Sequence, residues 1–148
     1  MKKQLLAGFM FVMFMAISCI PICATSENTS FTFLVYLCGT DLETDNGTAT
    51  DSLLKMIDAN LPAGGPVSVV IETGGTREWW VEGIKPKSNQ RWLVEEDGLR
   101  LLATLPRRSM GSPDTRSAFI GYGIPAYPAA RSRHTLWNHG GRCPSGGW

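Results

Sequence analysis

Phe31-Thr-Phe-Leu-Val-Tyr-Leu-Cys38 is β-branched, aromatic and almost entirely apolar, and Gly39 closes it. A run that is apolar on both faces of the pleat belongs to a strand covered on both sides, as in a parallel sheet. Beyond it, Asp41–Asp51 is polar and carries the turn residues Asn46 and Gly47. Thr50 or Asp51 then caps an expected helix through Leu61, with Leu53, Leu54, Ile57 and Leu61 at helical spacing and Pro62-Ala-Gly-Gly-Pro66 as its stop. Val67-Ser-Val-Val-Ile71 is a second expected strand, ended by Gly74-Gly75. Strand, helix and strand within about 40 residues make a βαβ unit with a right-handed crossover.

The next segment, Arg77–Leu105, carries Trp79, Trp80, Val81, Trp92 and Val94 around a Pro/Ser/Asn turn. It reads as a β-hairpin inserted between α/β elements, with the tryptophans packing across the strands. Ser112-Pro113-Asp114 looks like a helix start. Phe119, Ile120 and Ile124 supply an apolar face, but Gly121, Gly123 and Pro125 argue against a helix there. Leu136-Trp137-Asn138-His139-Gly140-Gly141 resembles a strand end running into a glycine-rich loop. No internal repeat is visible.

The 148 residues leave no room for two sizeable domains. With 43% hydrophobic and 18% charged residues and a net charge of +1, the chain is neither disordered nor a polyanion binder in composition, so no nucleic-acid partner is expected. Residues 1–24 read as an export signal: Lys2 and Lys3, the apolar run Leu5–Ile17, then Ser18, Cys19, Pro21 and Ala24. Ala16-Ile17-Ser18-Cys19 also loosely resembles a lipobox, which would make Cys19 a lipid anchor and the one expected membrane contact. Loss of Lys2 and Lys3 leaves 12 bases against 13 acids, a net charge of about −1. Residues 25–30 are a polar spacer. Cys38, in an apolar run, is expected to be a small buried side chain rather than a bridge partner to Cys143.

Five pieces, in this order, resemble the clostripain family of cysteine peptidases. They are Leu34-Val-Tyr-Leu-Cys-Gly-Thr-Asp-Leu-Glu43, Val69-Val-Ile-Glu-Thr-Gly-Gly75, the tryptophan hairpin, Ser112-Pro-Asp-Thr115 and Leu136-Trp-Asn-His-Gly-Gly141. The resemblance covers residues 31–141. It implies a three-layer α/β/α, caspase-like parallel sheet with an inserted hairpin, here incomplete. It also implies a histidine–cysteine dyad whose histidine is His139, and an oxyanion held in part by the backbone N–H of Gly140. Peptides or proteins cut after a basic residue, arginine foremost, are the implied substrates, and calcium is a family-type possibility.

The family's nucleophile follows the next strand in an Asp-Ala-Cys type motif, and this chain ends at Trp148. Cys143, in Gly-Arg-Cys-Pro-Ser only four residues past His139, does not match it. After Leu105 come six arginines (107, 108, 116, 131, 133 and 142) against one acid, Asp114, and Arg131-Ser-Arg-His-Thr135 is polar where a central strand is apolar. The expectation is an amino-terminal portion with a partly garbled stretch and an aberrant tail at 142–148, inactive alone. A different class of reading is a non-catalytic exported or lipid-anchored domain that binds through the tryptophans or an open sheet edge; a third is a product that does not fold.

Weaker signals accompany these. Asp41, Glu43, Asp45 and Asn46 resemble part of a calcium loop, but the EF-hand pattern fails with Asn46 in place of its glycine and Ser52 in place of its final glutamate, so a solvated turn is expected. His134, His139 and Cys143 lack the spacing of a zinc site. The glycines match no dinucleotide or phosphate fingerprint, and no cofactor is expected from the residues themselves.

Overall fold

The apolar run at 31–38 becomes the strand around which the protein is organised. The computed structural model describes residues 30–139. The signal-like segment 1–24, most of the spacer, Gly140, Gly141 and the tail at 142–148 lie outside them. Strand β1 (Phe31–Cys38) is followed by helices α1 (Thr40–Asn46) and α2 (Thr48–Ile57), and then strand β2 (Val67–Gly74). Strands β3 (Ser88–Glu95) and β4 (Gly98–Pro106), helix α3 (Pro113–Ala126) and strand β5 (Arg131–Trp137) complete the order.

The five strands form one sheet in the order β4-β3-β2-β1-β5. β1 pairs in parallel with β2 on one side and β5 on the other, whereas β2–β3 and β3–β4 are antiparallel. Alternation along β1 sends its side chains to two cores. Val35 and Leu37 join Val69, Ile71, Trp92 and Val94 beneath Ala49 and Leu53 of α2. Leu34, Tyr36 and Val70 meet Phe119 of α3 and Met110 on the opposite face. The result is three layers, helix, sheet and helix. Among the described residues no helix is long and apolar enough to cross a membrane.

Four expectations need correction. The polar stretch after β1 is helical and not a solvated turn. Gly47, at φ +63, breaks it into α1 and α2, and a side chain there would run into Trp80, whose Cε3 lies 2.6 Å from an added Cβ. α2 therefore starts at Thr48, earlier than a Thr50 or Asp51 cap would place it, and stops at Ile57, with Leu61 merely packing on the core.

The hairpin lies later than expected. Its arms are β3 and β4, it turns at Glu96-Asp97 with Gly98 at φ +131, and it extends the sheet through β2. Trp79 and Trp80 stand in the irregular segment before it. Trp79 is buried as a lid on the α2-side core, and Trp80 is 60% exposed.

α3 runs through Gly121, Gly123 and Pro125 without a break. Gly123 is there because helix and strand approach closely: an added Cβ would stand 2.5 Å from Leu34 Cδ2. The arginine-rich stretch forms a regular strand. β5 pairs with β1 in continuous register, from Phe31 with Arg131 to Leu37 with Trp137. Its polar side chains are tolerated because it is the edge strand among the described residues and is largely exposed.

Candidate active site

Parallel strands β2, β1 and β5 all end on one side of the sheet, where an open α/β sheet places its site. Gly39 N–H donates to the Gly74 carbonyl at 3.0 Å and Thr40 N–H to that of Gly75 at 3.2 Å, locking the ends of β1 and β2 together. Thr40 has φ +48, an unusual conformation for a β-branched residue. Its hydroxyl donates to Asn138 Oδ1 at 3.3 Å, and that oxygen also accepts the His139 backbone N–H at 2.7 Å. Asn138 thereby ties the end of β5 to the start of α1.

His139 stands two residues beyond Trp137, the last residue of β5. Its Nε2 lies 2.7 Å from Asp41 Oδ1, with both side chains at least half exposed. The His139 hydrogen bond, helped by Thr40, holds the Asp41 carboxyl below the usual carboxylate range. A carboxylate accepting from Nε2–H leaves Nδ1 as the free base. The role of Asp41 as the imidazole's partner is not legible in the sequence, because the two residues are 98 positions apart. Gly140, the expected oxyanion donor, lies outside the described residues.

The calcium-like quartet does not converge. Asp41, Glu43, Asp45 and Asn46 lie along α1, and Glu43 is fully buried with its carboxylate already engaged. Oε2 accepts the Thr50 N–H at 2.8 Å, and Oε1 accepts the Thr50 hydroxyl at 2.5 Å and the Trp80 N–H at 2.8 Å. These residues do not fit a calcium site. Glu43 instead caps α2 from the preceding helix and fastens the Trp80 segment over it. No group of three or more His, Cys, Asp or Glu side chains among the described residues is placed to hold a metal.

Two adjoining clefts open on the α3 side of β1. One, of about 270 Å³, lies between Tyr36, Cys38, the start of α3 and Leu136–Asn138. The other, of about 520 Å³, lies between Cys38, Gly75 and Arg107–Gly111. Cys38, half-buried and free, separates them. Burial pushes its thiol pKa up, and its Sγ packs at Gly75, where an added Cβ would lie 2.7 Å away. It is a packing thiol.

No family model matches the chain, and no curated protein does. Solved structures do. A B. fragilis cysteine protease superposes with a TM-score of 0.56 at 12% identity over 80% of this chain and 98% of that one. A clostripain from Bacteroides thetaiotaomicron, solved with a peptide inhibitor, gives 0.52 at 12% identity over 75% and 90%. The class is thereby defined: the chain has the α/β/α fold of clostripain-like cysteine proteases, as the ordered motifs of its sequence implied.

Proposed function

We propose that residues 31–139 form the histidine-bearing part of an exported, clostripain-like cysteine endopeptidase. The observation that carries this is the His139–Asp41 pair at the carboxyl ends of the parallel strands, in a fold shared with cysteine proteases. In the reaction His139 takes the thiol proton of a cysteine. The thiolate attacks the scissile carbonyl, the C–N bond breaks, and the imidazolium returns its proton to the leaving amine. Asp41 orients the ring and offsets its charge, and the Gly140 N–H steadies the oxyanion.

The nucleophile comes from outside residues 30–139, since Cys38 is the thiol among them and is turned to other packing. Cleavage after arginine rests on the family resemblance. Among the described residues, the two clefts on the α3 side of β1 have no carboxylate in their lining. Export through residues 1–24, with Cys19 as an alternative lipid anchor, completes the reading. The purified mature chain, assayed on an arginyl fluorogenic peptide, gives no turnover by itself. Turnover that vanishes in Cys143→Ala refutes this placement of the nucleophile, and turnover retained in His139→Ala refutes the site.

A further inference from the structure

We propose that the outer edge of β4 is the contact surface for a second copy of this chain, the two β4 strands pairing antiparallel about a two-fold axis near Leu102. The proposal stands apart from the peptidase reading, because β4 and the histidine-bearing β5 lie at opposite ends of the sheet.

Among the described residues β4 pairs with β3 alone, so its other side is open. Such an edge presents a row of backbone donors and acceptors, which proteins blunt with charged side chains. β4 is poorly blunted. Gly98-Leu-Arg-Leu-Leu-Ala-Thr-Leu-Pro106 carries one charge, Arg100, and Glu95 on the adjacent strand holds it at 2.7 Å. Leu101 is 48% exposed.

The charges flanking the strand favour a copy of the chain as the occupant. Exposed acids, Glu96 and Asp97, precede β4, and exposed bases, Arg107 and Arg108, follow it. Antiparallel pairing about Leu102 lays Glu96-Asp97 of one copy beside Arg107-Arg108 of the other, and the symmetry does so twice. The axis is perpendicular to the sheet, so each side chain keeps its face. The two Leu101 side chains then approach one another on the α2 side, the face of their register neighbour Trp92. The other edge has no such self-match: residues 127–139 contain Arg131 and Arg133 and no acid. The β3–β4 register shifts between Arg91 and Trp92, leaving Leu102 unpaired on the axis. Two arms therefore carry the ladder, 98–101 of each copy against 103–106 of the other, and the contact is short and reversible.

Sedimentation velocity of the mature chain under reducing conditions, from about 5 to about 500 µM, tests this. The expected result is a monomer–dimer equilibrium that about 0.5 M salt weakens. Glu96→Arg/Asp97→Arg and Arg107→Glu/Arg108→Glu each bring like charges together at both ends, and each is expected to weaken association by about tenfold. Mixed in equal amounts, the two variants meet with opposite charges at both ends and recover the wild-type affinity within about threefold. Arg108 is anchored through its backbone N–H, 2.9 Å from Asn89 Oδ1, so changing its side chain leaves that anchor in place. Leu101→Lys, at an exposed position away from the hairpin turn, is expected to weaken association as well, and serves where a turn variant fails to fold. A monomer at every concentration overturns the proposal. So does a dimer that Leu101→Lys and the charge variants leave unchanged, or one lost instead in Arg131→Glu/Arg133→Glu on the β5 edge. Loss in two folded charge variants that mixing does not recover overturns the antiparallel arrangement.

Discussion

Replacing Glu43 separates a structural carboxylate from a metal ligand. Its two oxygens hold three donors, the Thr50 N–H, the Thr50 hydroxyl and the Trp80 N–H, in a fully buried position. Glu43→Ala orphans two backbone N–H groups, each costing about 1–3 kcal/mol when buried without a partner. The hydroxyl adds less because it can rotate toward another acceptor, so the loss is about 3–5 kcal/mol, a large part of an ordinary domain's stability. Glu43→Gln keeps one oxygen for two donors but points an NH₂ at the Thr50 N–H, at a cost of about 1.5–3 kcal/mol. Urea denaturation followed by circular dichroism measures both, each run with calcium and with a chelator. The expected ranking is wild type, Gln, Ala, with calcium shifting none of the midpoints. A Gln variant within about 0.5 kcal/mol of wild type refutes the capping argument. A deficit that appears only when calcium is present refutes the exclusion of this quartet as its ligands.

Three further outcomes follow from the geometry. Gly121→Ala meets no atom within 4 Å and should stabilise α3 by about 0.5–1 kcal/mol, whereas Gly123→Ala drives a methyl into buried Leu34 at a cost of about 1–3 kcal/mol that outweighs the same helix gain. Equal midpoints in urea for the two variants would contradict the close α3–β1 approach. Asp41 should titrate below the ordinary carboxylate value of 3.8, followed by its carboxyl ¹³C shift, and return toward it in His139→Ala. Because the folded-state value is depressed, the pair's contribution is present above that pH and lost as Asp41 protonates on further acidification. Burial, with Glu72 adding to it, raises the Tyr36 pKa from 10.0 to about 12, so ionisation disfavours the folded state and stability falls as pH climbs from 10 toward 12. Absorbance at 295 nm and alkaline unfolding should show this, and Tyr36→Phe should shift the unfolding to higher pH.

The two strands that decide the fold were legible because burial on both faces leaves an unmistakable apolar run at 31–38 and 67–71. What failed were the elements whose stability is tertiary. α1 has no apolar stripe; it is held by a buried glutamate reaching a backbone N–H 37 residues away. Trp79 and Trp80 carry strand-like composition yet serve as cover over a core and over Gly47, while the modest Asp97-Gly98 pair marks the true hairpin turn. Gly123 looked like a helix breaker because local propensity counts its missing Cβ as a loss, whereas Leu34 occupies the space that Cβ would need.

The same distinction governs the site. His139 was found because it lies inside a contiguous motif, and Asp41 was present in another motif but gained its meaning only when β1 and β5 became neighbours. The polar composition of β5 has a consequence for catalysis as well. A strand with Arg131, Arg133 and an exposed Leu136 cannot be buried on both faces as it stands, yet its carboxyl end carries the imidazole. In these residues the histidine is held by hydrogen bonds through Asn138, Thr40 and Asp41 instead of by core packing. Its geometry therefore depends on the α1 platform, and so on Glu43 beneath it. Glu43→Gln should loosen the Asp41–His139 contact, visible as a partial return of the Asp41 titration toward its ordinary value, even though Glu43 touches neither residue.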